Sequence, residues 1–270
     1  MLQTIIQSPS ISSIVPPSLL FSSLSDNLFC GENKKYIDDD KINQLKKKIF
    51  PYTSNDNIKK LMIDKESLHY ITFSSDATNI TKIICDNLIN FPAIVNYKSE
   101  DWQKNAPEKK MKQLVITDMT AGVGGNVYNF SKFFKYVNAI ELNTNVYNCL
   151  KNNIEVYKLN NINCYNDDSV KLLIENDDIG QDIIFFDPPW GGRDYKLHTD
   201  IRLKFGNTST ELSMSIENIT NILLKRSTNK MIVLKLPDNY DYKYFVDELN
   251  MYTIERYQLN RFTILVVKNY

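Results

Sequence analysis

The chain has 270 residues, of which 43% are hydrophobic, 11% aromatic and 24% charged; this suits one large domain, or one domain with an appendage, and excludes a disordered or fibrous chain. Its 32 Lys and Arg balance its 32 Asp and Glu, so no net charge exists to hold a long nucleic acid, and any such contact must be local. No run reaches the roughly 20 apolar residues of a membrane helix, and mean hydropathy is −0.34, so a soluble, intracellular protein is expected.

The first 70 residues hold four of the nine prolines (Pro9, Pro16, Pro17, Pro51), an acidic run at 38–40 and a basic one at 46–48. They read as an N-terminal extension with one short helix near 42–50, and the apolar start lacks the basic flank of a secretory signal. From about residue 71 apolar runs of four to six residues alternate with amphipathic stretches, the pattern of βαβ units on a mainly parallel sheet. Ser74, Ser75 or Asp76 caps a helix ending near 89, with Ile80, Ile83, Ile84 and Leu88 on its apolar face. Strands follow at 114–118, 137–141, 162–165 and 183–187, with helices at 126–134 and 145–159 and another beginning near Ser169. A helix at 213–224, a strand at 231–236, a helix at 242–249 and a pair of strands at 252–257 and 262–267 complete the pattern. No helix fits between the last two, so they form an antiparallel hairpin at one sheet edge.

The expected fold class is therefore α/β, with residues 1–70 as the extension and 71–270 as the main domain. Cys30, Cys85, Cys149 and Cys164 are far apart and form no CxxC pair, which suits reduced thiols. With only His69 and His198, a histidine-rich metal site is excluded, and no metal is expected.

Glycine is scarce, eight residues in all against about 19 at average usage, yet five lie in two loops. The first is in VITDMTAGVGGN (115–126), a buried-type strand ending in Asp118, then Thr120, Ala121, Gly122 and Gly124 in a turn that opens a helix. Such a turn brings backbone and a helix N-terminus close to a ligand. At the end of the next strand, Glu141 can accept both hydroxyls of a ribose. Val127 stands where a dinucleotide fingerprint has its third glycine, and Asp118 suits a free amino group better than a pyrophosphate. Amine and ribose together indicate S-adenosyl-L-methionine. After the third strand, Asp167 and Asp168 can accept an adenine amino group; equally, Asp168 can cap the following helix.

The second loop is in FFDPPWGGRDY (185–195), at the carboxyl end of the fourth strand, where open α/β sheets bind ligands. Asp187 and the Pro188 carbonyl can each accept a hydrogen from an amino group on a base ring, turning its nitrogen lone pair toward a sulfonium methyl. Trp190 offers a broad π face, although a Trp in such a turn can also be a core plug.

Across about residues 70–270 the chain resembles the trimethylguanosine synthase family, the RNA cap guanine-2-amino methyltransferases. The resemblance rests on GVGGN (122–126), Glu141, NNIEVY (152–157), DPPWGGRDY (187–195), IVLKLP (232–237) and the upstream FSSDATNITKII (73–84). It implies a Rossmann-like methyltransferase fold with a seven-stranded sheet, S-adenosyl-L-methionine as cofactor and 7-methylguanosine-capped RNA as partner, with a monomer expected. By the same resemblance Phe73, Asp118, Thr120, Ala121, Gly122, Gly124, Glu141, Asp167 and Asp168 hold the cofactor. Asp187 and Pro188 hold the amine, and Trp190 and Arg193 meet the cap. The chain departs from the family at Asp238, where an Arg usually faces the cap phosphates; Arg193, Lys204 or Lys235 could substitute. Two other readings stay open: an adenine amino methyltransferase, since DPPW also serves that reaction, and a cofactor-fold scaffold without activity.

Overall fold

Alternation along the strands sorts the apolar side chains onto two faces of one sheet. The computed structural model describes residues 39–64, 67, 70–89, 111–175, 179–206, 213–226 and 228–269. Among them run β1 (Val115–Asp118), β2 (Tyr136–Ile140), β3 (Ile162–Tyr165), β4 (Ile183–Phe186), β5 (Lys204–Phe205), β6 (Met214–Ser215), β7 (Met231–Leu236), β8 (Thr253–Gln258) and β9 (Thr263–Lys268). Seven of them form the sheet β3-β2-β1-β4-β7-β9-β8, and β5 pairs with β6 apart from it. The first five strands of that order are parallel, and β9 runs against both of its neighbours.

Ile183, Phe185, Met231, Val233, Ile264 and Val266 enter one core, and the residues between them, Ile184, Phe186, Ile232, Leu234, Leu265 and Val267, enter the other, as the two-residue period of a strand requires. The predicted hairpin is present, but its second strand inserts beside β7 while β8 takes the edge. The reason is apolarity: every residue of β9 is buried, whereas β8 is half exposed along its length.

Eight α-helices lie among the described residues: α1 (Asp39–Ile49), α2 (Asn55–Lys60), α3 (Ser74–Ile89), α4 (Val127–Phe133), α5 (Thr144–Val156), α6 (Ser169–Glu175), α7 (Ile216–Leu224) and α8 (Tyr242–Glu248). Helix α3 starts one residue earlier than a Ser74 cap would allow, because the Phe73 carbonyl accepts from the Ala77 amide at 2.9 Å; Asp76 instead binds Arg261. Its predicted face holds: Ile80, Ile84 and Leu88 are buried, with Ile83 packed against them. The helix expected over 213–224 is shorter, since Met214 and Ser215 pair with β5 and Ser215 caps α7 through its hydroxyl.

Residues 1–38 of the expected extension lie outside the described residues. From residue 39 onward the chain packs on the main body: Ile49, Phe50, Ile58 and Leu61 form a third apolar cluster with Val123 of the first glycine loop and Val146 and Cys149 of α5. Among the described residues no helix is long and apolar enough to cross a membrane.

Candidate active site

Three acids converge where β1, β2 and β4 end side by side in parallel register. Asp118, the last residue of β1, has no exposed surface. Its Oδ1 accepts from the Thr120 amide at 3.1 Å, and its Oδ2 is buried without a partner among the described residues. Burial lifts its pKa from 3.8 to about 8, with Asp187 and Glu141 adding to the rise and the Thr120 amide and Lys235 opposing it. A buried carboxyl oxygen left open in this way fits a cationic amino group, which would restore the carboxylate.

Glu141 follows β2. Its Oε2 accepts from the Gly122 amide at 3.0 Å and its Oε1 from the Asn143 amide at 2.8 Å, so backbone fixes both oxygens while each keeps a second lone pair for a hydroxyl. Burial raises its pKa and these amides oppose the rise. The glycine loop runs from Ala121, whose amide binds the Ile140 carbonyl, through Gly122 and Gly124, both with positive φ. At Gly125 the need is space, because a Cβ would lie 2.7 Å from the Thr72 carbonyl.

Asp168 accepts at Oδ1 from the Val170 and Lys171 amides and so caps α6; Asp167 is exposed and bonds the Asp168 amide. Phe73 packs its ring against the third cluster and under the Arg261 guanidinium at 5.3 Å. Thr120 links two of the acids: its amide binds Asp118 and its hydroxyl accepts from the Asp187 amide at 3.0 Å.

Asp187 directly follows β4. Its Oδ2 lies 2.5 Å from the Lys235 ammonium and 3.5 Å from the Thr72 hydroxyl, while Oδ1 and the Pro188 carbonyl have no partner among the described residues. Trp190 is half-buried and contacts both cores at its inner side. Its Nε1 donates to the Lys235 carbonyl at 3.3 Å, and Tyr195 meets the ring edge to face at 5.3 Å. The indole is therefore held at the rim of the sheet rather than sealed in a core. Arg193 opens the 3₁₀ turn Arg193–Leu197, and its side chain lies outside the described residues.

Of the three candidates for the phosphate contact, Lys235 is committed to Asp187 and Lys204 is exposed on β5. Asp238 accepts from Gln258 at 2.7 Å and so ties the loop after β7 to the hairpin. Thr72 and Lys235 were not among the expected amine-site residues. Thr72 carries no local signal. Lys235 does: a lone lysine within the apolar run IVLKLP is a group that burial obliges to pair. Among the described residues no three metal-ligating side chains cluster.

A sheet in the order β3-β2-β1-β4-β7-β9-β8, with acids at the ends of β1 and β2 and a glycine turn between β1 and α4, defines an S-adenosyl-L-methionine-dependent methyltransferase. Residues 113–268 match the model of the RNA cap guanine-N2 methyltransferases, and the chain belongs to that family. It is 51% identical over 237 residues to the uncharacterized protein L320 of Acanthamoeba polyphaga mimivirus, covering 88% of this chain and 90% of that one. To the trimethylguanosine synthase of Saccharomyces cerevisiae it is 28% identical over 129 residues, 47% of this chain and 39% of that one. Among solved structures, the METTL16 methyltransferase domain superposes with a TM-score of 0.49 at 15% identity, over 77% of this chain and 72% of that one. SMU.1697c of Streptococcus mutans, solved in complex with SAH, gives 0.41 at 15% identity, over 60% of this chain and 95% of that one.

Proposed function

We propose that the chain methylates the 2-amino group of a 7-methylguanosine RNA cap. The observation that carries this reading is the corner after β4, where Asp187 Oδ1 and the Pro188 carbonyl are acceptors without a partner among the described residues, beside a half-buried indole tied to the sheet edge. S-adenosyl-L-methionine supplies a methyl group on a sulfonium centre, activated for attack by a neutral amine.

In this reading Asp118 receives the cofactor's ammonium at Oδ2 and Glu141 its ribose hydroxyls. Ala121, Gly122 and Gly124 line its path with Thr120 and Phe73, and Asp167 and Asp168 stand at the adenine end. Asp187 and Pro188 accept the two hydrogens of the substrate amine and aim its lone pair along the line of displacement; the catalysis is positioning and charge. Trp190 holds the base. A 7-methylated guanine carries positive charge, and an indole face attracts a cation by about 0.5 to 2 kcal/mol beyond stacking, which an unmethylated cap forgoes. Arg193, six residues after Asp187, and the exposed Lys204 are the candidates left for the cap phosphates.

The test is mass spectrometry after incubating the protein and cofactor with 7-methylguanosine-capped RNA, guanosine-capped RNA and adenine-containing oligonucleotides. One or more methyl groups on the first substrate are expected, with much less on the second. Transfer to adenine alone overturns the reading, and cofactor binding without turnover on any substrate identifies a scaffold.

A further inference from the structure

We infer that Lys235 is a positioning residue for methyl transfer: paired with Asp187 Oδ2, it keeps that carboxylate ionised and leaves Oδ1 as the acceptor for the incoming amine. The pairing follows from strand register. β4 and β7 are parallel with Phe186 beside Leu234, so the next residues along, Asp187 and Lys235, are neighbours across the sheet end. Lys235 is only 6% exposed, within a strand whose six residues are all buried. Its ammonium lies 2.5 Å from Asp187 Oδ2 and 3.1 Å from the Thr72 hydroxyl. The rings of Trp190 and Phe262 flank it at 5.3 and 5.1 Å.

Dry surroundings make this charge matter. Burial pushes the Asp187 carboxyl up and stays the larger effect, while Lys235, then Thr72, oppose the rise. A protonated Asp187 accepts more weakly and can turn a hydrogen toward the amine, so the amine would be guided less firmly. The groups around Asp187 are Lys235 from β7, Thr72 ahead of α3 and Asp118 from β1. Asp118, whose own carboxyl burial also pushes up, opposes an ionised Asp187, and Lys235 is the cation that offsets it. Glu141 reaches this group of charges through Asp118. Asn126 steadies Thr72 with a 3.2 Å hydrogen bond to its hydroxyl. Lys235 also holds the base platform, since its own carbonyl accepts from Trp190 Nε1; one residue thus sets the amine acceptor and the indole edge together.

The inference rests on the reading that Asp187 receives the amine, so the first measurement needs no turnover. Carboxyl-carbon NMR of protein labelled at aspartate, with Asp187 assigned through Asp187→Asn, follows its titration directly. In the wild type Asp187 is expected to titrate above the ordinary carboxylate range, and in Lys235→Met its midpoint moves to still higher pH. Single-turnover cap methylation then falls about tenfold per pH unit below that new midpoint and recovers as pH rises. Lys235→Arg, which keeps the charge, keeps the wild-type profile, and cofactor affinity stays within about threefold in both variants because Lys235 makes no cofactor contact in this reading.

A wild-type Asp187 protonated at neutral pH overturns the inference, as does an unshifted midpoint in Lys235→Met or a loss of rate equal at every pH. If Lys235→Met does not fold, the wild-type titration and Lys235→Arg still decide. A wild type with the expected titration that never methylates capped RNA sinks the substrate reading alone.

Discussion

Asp118 shows how one buried side chain makes stability depend on pH. Its pKa of about 8 against an ordinary 3.8 means that between those values the folded, ligand-free protein holds a proton the unfolded chain has released. The group's contribution to stability is therefore fully present below about pH 4 and lost as pH rises through about 8. Asp118→Asn should flatten that slope in urea unfolding across the same window. If Asp118 holds the cofactor's ammonium as proposed, the variant should also weaken cofactor binding about tenfold or more by calorimetry, since that charged hydrogen bond is removed. A slope unchanged in the variant would mean Asp118 is ionised in the free protein. Trp190→Ala should abolish cap methylation while cofactor affinity stays within about threefold, and Trp190→Phe should retain part of the activity because a ring remains to stack. Equal loss of binding and turnover in Trp190→Ala would assign the residue a purely structural task.

Among the elements, α5 has a task its sequence did not announce. NNIEVY matched a family motif without a stated role; its Asn153, 3% exposed, pegs two segments together. Its Nδ2 donates to the carbonyls of Met62 and Val123 at 2.9 and 3.0 Å, and its Oδ1 accepts from the Met62 amide at 2.8 Å. Asn152 binds the Lys60 carbonyl and Tyr157 the Pro51 carbonyl, so this one helix clamps residues 51–62 and the glycine loop. Asn153→Ala removes the partner of the buried Val123 carbonyl and of two part-buried Met62 backbone groups and should cost about 1 to 3 kcal/mol of unfolding free energy. Cofactor affinity should fall with it, because Val123 belongs to the loop. A destabilised variant that binds cofactor normally would show that the loop holds its shape without this peg.

For the whole molecule, charge balance sets how RNA can be held. With 32 basic and 32 acidic residues and the buried Lys235 unavailable to phosphates, recognition of the proposed substrate falls on its cap. The KM for a short capped oligonucleotide should match that for a long capped RNA within about threefold, and should change less than about tenfold between 50 and 200 mM salt. A steep salt dependence with long RNA would point to an extended basic surface instead. The packing of residues 49–61 onto α5 and Val123 also joins part of the expected extension to the cofactor side of the fold.

The sequence alone determined the order along the chain of the strands of the main sheet and of the helices between them, the two glycine loops and the acids at strand ends, because periodicity, glycine and strand-terminal acids act through local geometry; it did not show α2 or the β5–β6 pair. Even the inner place of β9 is legible in its apolar composition beside the half-polar β8. Tertiary structure decided what depends on contact between distant residues. It brought Lys235 onto Asp187 through strand register and onto the Thr72 hydroxyl, laid Thr72 over Gly125 and left Asp118 Oδ2 without a partner among the described residues. Those pairings join segments up to 163 residues apart, and a spacing in sequence fixes no distance between two such segments until the sheet sets their register.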